Sequence, residues 1–534
     1  MTPDVPPTAK RPNFIVVMTD QQRADHLGCY GNTVVKTPNL DAVAARGTRF
    51  ERFFVANPIC QPNRAALATG QMTSVNGCRQ NGIPLSLDST TYADVLAAAG
   101  YRTGLVGKAH FQNVSNIPAK PRQQQGLGAE LEAPVNHARQ TQRDGPAYRC
   151  EVRGAWANDP DRDFPSPYYG FEHVRLCIGH GDQVEGHYTR WLADKLAEGA
   201  GGASDPRGPE KALDNASPRP PQVWRTAVPE KLYPTTYVAD MACDFLAEED
   251  ARPFLLVVSF PDPHHPFTPP GRYHDLYDPD EVELPASFNH PTGARTDLPE
   301  HVLQAYKVGD QNPNAYWPFH VDEDSLRRMI ALNYGTITMI DDMVGRILAA
   351  LAATGQAEET VICFMSDHGD YMGDHGTVLK HGLHSQGVIR VPFIWSDPQA
   401  QEAGVSDLQA SAIDFAPTLL QRAGLKVPIG MQGRDVLAKD AADLPVLIED
   451  SGISIYFDPD ADTSIRTLVH QGWRMSVFEG SDLGELYDLN TDPHELGNLW
   501  SAPEAQSRKM QMFQHMMQRQ IALRDKSLLA TNQA

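Results

Sequence analysis

The chain is predicted to be an α/β protein, with a large, mostly parallel sheet sandwiched by helices and a smaller C-terminal α+β subdomain. Three observations predict this. Runs 14–18, 103–106, 254–260 and 361–365 are nearly continuous in apolar residues rather than alternating, as strands buried on both faces are. Helical patterns lie between them: 39–46 stopped at Gly47, 92–99 stopped at Gly100, then 235–249 and 325–353. At 534 residues the chain is also too long for one simple core.

Each apolar run breaks off into residues capable of chemistry. The first leads into Asp20-Gln21-Gln22-Arg23 and the second into Gly107-Lys108-Ala109-His110. The third leads into Asp262-Pro263-His264-His265-Pro266 and the fourth into Asp367-His368-Gly369-Asp370. In an open parallel sheet, ligands bind beyond the carboxyl ends of the strands, so all four tails are expected at one edge. Residues 1–433 are read as the catalytic unit. Within it, 111–234 is rich in Gly, Pro, Gln, Asp and Arg and is read as an irregular, substrate-shaping insertion. Residues 434–534 are read as the subdomain, with antiparallel strands at 466–478 and 485–489 and a Met-rich helix at 505–524.

Composition sets the outer bounds. A formal charge of −21 argues against a nucleic-acid partner, which needs a basic surface, but leaves room for a small anionic substrate at a local cationic cluster. The seven cysteines are scattered and show no CxxC pairing, which suits neither a disulfide scaffold nor a zinc site and fits a reducing compartment. The start, 1–10, is polar and proline-rich, and the apolar run after it is too short for a signal or a membrane span. The expectation is a cytoplasmic protein with no membrane association.

Two strand-end carboxylates, Asp20 and Asp367, repel each other unless a cation lies between them. Gln21 and His368 sit beside them, and oxygen donors suit calcium, magnesium or manganese, with the imidazole leaning toward manganese. Taken singly, a strand-end Asp more often caps a turn. The paired Asp-Gln and Asp-His make that reading poor. Cys60-Gln61-Pro62-Asn63-Arg64 precedes a helical run at 65–69, placing Cys60 at a helix N-terminus beside a permanent cation. By themselves these residues suggest only a reactive thiolate, against the bland alternative of a small buried hydrophobe.

CQPNRAALATG resembles the signature of the sulfatase family in the alkaline phosphatase superfamily. The likeness continues in PNFIVVMTDQQR, GYRTGLVGKAH, PHHPF and SDHGDYMGDHG, and ends in ELYDLNTDPHELGNL, so six ordered blocks cover most of the chain. The resemblance implies an alkaline phosphatase-like fold and a Cys60 oxidised by a maturation enzyme to formylglycine (3-oxoalanine). Its hydrated gem-diol would attack sulfur or phosphorus, an alcohol would leave, and the aldehyde would re-form as sulfate departs. It implies Asp20, Gln21, Cys60, Asp367 and His368 as ligands of one divalent ion, Mn2+ or Ca2+. Arg64 would hold the gem-diol, Lys108 and Lys380 the non-bridging oxygens, with Asn81 as a further oxygen contact. His264 would protonate the leaving oxygen, with His265 as its rival, and His110 would break the covalent intermediate.

Asp-Gln on the first strand, where the family often has Asp-Asp, resembles phosphonate monoester hydrolases and choline sulfatases. Lys108 and His110 are instead the sulfatase arrangement, since the phosphonate group tends to carry Tyr and Thr there. The resemblance therefore implies an (aryl) sulfate monoester hydrolase with promiscuity, and a phosphonate monoester or phosphodiester hydrolase as the alternative. A catalytically silent relative would be expected to lack the Cys, a ligand or a lysine, and none is missing. Met510, Met512, Met516 and Met517 on the last helix, with the resemblance, suggest a homo-oligomer; packing of that helix on its own subdomain is the competing reading.

Overall fold

Strand β1 (Asn13–Thr19) lies inside the main sheet with all seven of its residues buried. The structure is a computed structural model that describes residues 11–117, 119, 143–198, 204–214, 222–289, 297–300, 302–304, 317–400, 403–452 and 463–528. The proline-rich start, 1–10, lies outside them. The other strands of the sheet are β2 (Thr48–Phe50), β3 (Arg102–Gly107), β4 (His173–Ile178) and β5 (Glu185–Gly186). They are followed by β6 (Phe254–Ser259), β7 (Thr360–Ser366), β8 (Phe393–Ser396) and β9 (Gly404–Ser406). Their spatial order is β9-β2-β8-β7-β1-β6-β3-β4-β5. The stretch from β7 to β4 is parallel throughout, flanked by antiparallel β8 on one side and β5 on the other.

Phe14, Val16 and Met18 point into one hydrophobic cluster, Ile15 and Val17 into another. That is the two-residue period of a strand with both faces covered, and it is why the run reads as continuously apolar. Helices α1 (Pro38–Ala45), α2 (Cys60–Thr69) and α3 (Tyr92–Ala98) come first, then α4 (His187–Glu198) and α5 (Pro234–Ala247). The long α6 (Glu323–Ala353) and the shorter α7 (Phe415–Arg422) complete the layers. Apolar residues of α1, α4, α5 and α6 join the Ile15 cluster, and those of α2, α3 and α7 join the Phe14 cluster. Local chemistry fixes the ends: Thr91 and Asp94 form a capping box on α3, and the Asp322 carboxylate accepts from Ser325 N–H at 2.8 Å. Among the described residues no helix is long and apolar enough to cross a membrane, and all seven thiols are free.

Two expectations are corrected. The stretch 111–234 is only partly irregular, because it supplies β4, β5 and α4 to the main layers. Its strand was hard to see because β4 alternates between buried and half-buried residues at its start. The expected strand 466–478 is a hairpin, β11 (Ser464–His470) and β12 (Trp473–Phe478), reversed at Gln471 and Gly472 with φ of +50° and +75°. It joins β10 (Val446–Ser451), which was not anticipated, and β13 (Gly484–Asp488) in a four-stranded antiparallel sheet. Helix α8 (Gln506–Ala522) follows. It buries Met512 and Met516 against the Phe14 cluster and leaves Met510 and Met517 exposed.

Polar contacts seat this sheet on the main body. The Glu449 carboxylate of β10 accepts from Thr73 Oγ at 3.0 Å and from both N–H and Oγ of Ser74 at 2.9 Å. Buried Arg474 of β12 donates to Glu485 at 2.9 Å, to Ser476 Oγ at 2.7 Å and to Glu495. Glu495 in turn accepts from Gln386 N–H at 3.0 Å, beside the loop that carries Lys380. Removing the cation strands two buried carboxylates. Arg474→Met is expected to cost about 3–5 kcal/mol, read as a lowered denaturant midpoint in equilibrium unfolding.

Candidate active site

Strand register brings the two key carboxylates together. Thr19 pairs with Ser366 across β1 and β7, so Asp20 and Asp367 leave the sheet side by side, both fully buried. Arg64 of α2 lies beneath them, donating from Nε to Asp367 at 2.7 Å, from Nη1 to Lys108 C=O and Ser259 Oγ, and from Nη2 to Asp20 at 3.4 Å. The guanidinium expected to hold the oxygens of residue 60 thus also clamps both carboxylates. Lys108 Nζ donates to Asp20 Oδ2. Burial alone would raise the Asp20 pKa, but Lys108, Arg64, His180 and Lys380 outweigh it and hold the carboxyl well below its usual range.

The other carboxylate oxygen, Asp20 Oδ1, is buried without a hydrogen-bond donor. His368 Nε2 lies 3.5 Å from it and 3.6 Å from Asp367 Oδ1. His368 Nδ1 donates to Gly369 C=O at 2.8 Å, which leaves the Nε2 lone pair pointing inward. Asp20, Asp367 and His368 bring ligand atoms within 4.8 Å of one another. An orphaned carboxylate oxygen beside a second carboxylate and an oriented imidazole fits one divalent cation with hard donors. Gln21 sits at the rim with φ of +63°, its N–H donating to Asp367 Oδ1 at 3.1 Å and its amide oxygen accepting from Lys380 Nζ at 2.9 Å.

Cys60 is the first residue of α2, entered from extended Ile59, and is 2% exposed. Asn81 Nδ2 lies 3.7 Å from its sulfur, and His110 is among the groups that act on it. Burial would raise its thiol pKa, yet Lys108, His110 and Lys380 bring it well below 9.0. Lys380 is buried and donates to Gln21 Oε1 at 2.9 Å and to His264 Nε2 and His368 Nε2 at 3.0 Å. His264 Nδ1 bonds His265 C=O, so Nε2, which accepts from Lys380, is its working atom. His265 instead turns Nδ1 to Gln21 Nε2 at 3.1 Å, which favours His264 of the pair for chemistry near Lys380. Burial, with His180, His265 and both lysines, pushes the His264 pKa well down.

The structure therefore gathers Asp20, Gln21, Cys60, Arg64, Asn81, Lys108, His110, His264, Asp367, His368 and Lys380 at one sheet edge. Three further residues belong with them. Buried Glu151 accepts the N–H groups of His110, Phe111 and Gln112 at 2.7, 2.8 and 3.1 Å and the Tyr168 hydroxyl at 2.6 Å. It thereby holds His110 at its φ of +53°. His180 follows β4, with Nε2 2.7 Å from Lys108 Nζ. Asp262, whose pKa burial lifts to about 7, accepts from Thr235 and from Gly181 N–H beneath them. His180 and Asp262 follow strands in the pattern that marked the other tails. Glu151 carries no such signal, since its role is visible only when the loop is folded around it.

The parallel sheet and its charged carboxyl edge define the class: an α/β protein with a buried site fit for a divalent cation and an anionic ligand. The family model described as Sulfatase matches residues 12–425, and one described as N-sulphoglucosamine sulphohydrolase, C-terminal, matches 373–522. The chain belongs to the sulfatase family, which are sulfuric ester hydrolases that generally use formylglycine and a divalent metal. It is 28% identical to an arylsulfatase of Clostridium perfringens, covering 93% of this chain and 92% of the relative. It is 26% identical to a multifunctional alkaline phosphatase superfamily protein of Trinickia caryophylli, over 92% of each. The fold matches a phosphonate monoester hydrolase of Agrobacterium radiobacter with a TM-score of 0.74 at 23% identity, over 97% of both chains.

Two outcomes are expected. Asp20→Ala protein, purified beside the parent and assayed by elemental analysis, loses its stoichiometric divalent ion. Glu151→Gln turns an amide N–H toward a backbone donor and displaces His110, so kcat falls roughly 100-fold while metal content stays unchanged.

Proposed function

We propose that the chain hydrolyses sulfate monoesters, aryl esters among them, through residue 60 after conversion of its thiol to formylglycine. The observation that carries this reading is the convergence of Cys60, Lys108, His110, His264 and Lys380 on one buried, cationic pocket over Asp20 and Asp367. Asp20, Asp367 and His368, with Gln21 at the rim, would hold Mn2+ or Ca2+, which supplies Lewis acidity toward the nucleophilic hydroxyl and the sulfate oxygens. Lys108 and Lys380 bind the non-bridging oxygens, and the incoming anion offsets the ammonium charges that depress His264. With those charges offset, His264 takes up a proton at Nε2, where Lys380 donates, and gives it to the leaving alcohol oxygen. His110 takes the proton of the remaining hydroxyl on residue 60, so that the aldehyde re-forms and sulfate departs.

Conversion must precede folding, because Cys60 is 2% exposed and Pro62 and Arg64 are buried with it. A maturation enzyme would therefore read the extended segment. Phosphonate monoesters and phosphodiesters are the second reading, favoured by Gln21 on the first strand, while Lys108 and His110 favour sulfate. The test is kcat/KM for an aryl sulfate and an aryl phosphonate on one batch whose residue-60 peptide has been quantified by mass spectrometry. The expected result is an aldehyde at residue 60 and preference for the sulfate. Preference for the phosphonate would exchange the two readings, and an active preparation with only intact thiol would remove the formylglycine route.

A further inference from the structure

We infer that His180 is a positioning residue for ester hydrolysis, holding Lys108 through its Nε2 atom and His264 through its ring face. The inference rests on the proposed roles of Lys108 and His264. It is carried by three sets of contacts.

The residue is preorganised. It leaves β4 in the turn Gly179-His180-Gly181, whose glycines have φ of +100° and +53°. A Cβ on Gly181 would lie 2.9 Å from Pro266 Cγ and 3.0 Å from Pro266 O, so the turn is seated against the loop that carries His264. The Asp262 carboxyl accepts from Gly181 N–H, and the next residue, Asp182, accepts from Thr226 Oγ at 2.7 Å and Trp224 Nε1 at 3.1 Å. The far end of the turn is therefore pinned, and its near end is continuous with β4.

The chemistry of the Lys108 contact fixes the imidazole's state. An ammonium only donates, so at 2.7 Å His180 Nε2 accepts with its lone pair. Lys108 thereby bridges Asp20 and His180, and the imidazole fixes the direction of one of its N–H groups. On its other face His180 stacks on His264, with ring centroids 3.5 Å apart and planes 9° apart, and His264 stacks in turn on His265 at 4.0 Å. With Nδ1 on a carbonyl and both ring faces covered, His264 can present only Nε2 to the reacting ester. The His180 side chain keeps 17% exposure where Lys108 keeps 3%, so it forms the solvent-side wall of this arrangement.

Asp20, His180 and His264 also bring ligand atoms within 4.8 Å, which admits a rival role as a second metal site. The Lys108 ammonium already meets Asp20 and His180 there, so the chain supplies its own cation.

The experiment compares His180→Ala, His180→Gln and His264→Ala holoenzymes, with formylglycine and metal quantified, on sulfate esters from 4-nitrophenol to an unactivated alcohol. For His180→Ala the expected loss in kcat is about 100-fold on the alkyl ester and about tenfold or less on the nitrophenyl ester, with KM little changed. The Gln amide oxygen still accepts from Lys108, so His180→Gln should recover at least about tenfold on the alkyl ester. Metal content should stay at one ion per chain. Equal losses across the series, an effect on KM alone, or no recovery with Gln would overturn the inference, as would a drop from two ions to one. If His264→Ala fails to steepen the leaving-group dependence, the acid assignment falls; His180 is then decided by the kcat loss and the Gln recovery.

Discussion

Two buried carboxylates at adjacent strand ends are the constraint around which the molecule is organised. Asp20 and Asp367 are adjacent because β1 and β7 are parallel and in register at Thr19 and Ser366. Burying two like charges costs several kcal/mol apiece unless cations meet them. The fold brings three: Arg64 from the helix that begins at Cys60, Lys108 from just after β3 and Lys380 from the loop after β7. A chain with a net charge of −21 thus carries a locally cationic pocket, which is what an anionic ester requires.

Preorganisation extends outward from that pair. Each parallel strand ends in backbone bonds to its neighbour: Lys108 N–H donates to Ser259 C=O at 2.9 Å, and Asp20 N–H to Asp262 C=O at 3.1 Å. Gly107 is needed at the first of these, since a Cβ there would overlap Ser259 O at 1.8 Å. The C-terminal sheet contributes from a distance. Its Arg474–Glu495–Gln386 connection and the bond between His384 Nδ1 and Thr467 Oγ at 2.8 Å hold the loop that begins at Lys380. The Phe14 cluster runs without interruption from β1 into that sheet, so the two regions share one core.

Much of this was legible in the sequence because strands buried on both faces cannot hide: 14–18, 254–260 and 361–365 read as apolar runs and fold as β1, β6 and β7. Helices with clear stops, such as the one ending before Gly47, were equally plain. The less regular elements were not. Strand β4 mixes His173 and Arg175 with apolar residues, so it and the His180 tail behind it passed for loop. The turn at Gln471-Gly472 lies between two short strands that together read as one, 466–478. Glu151 is an ordinary acidic residue in an irregular segment until three backbone N–H groups converge on it.

The sequence by itself determined the fold class and the family and named many of the residues gathered at the sheet edge, because strand composition and the ordered blocks are local properties of the chain. Tertiary structure decided which atoms face one another: that Arg64 clamps both carboxylates, that His264 rather than His265 meets Lys380, and that His180 stacks behind it. Those outcomes depend on register, turn geometry and burial across residues hundreds of positions apart. No local pattern encodes them.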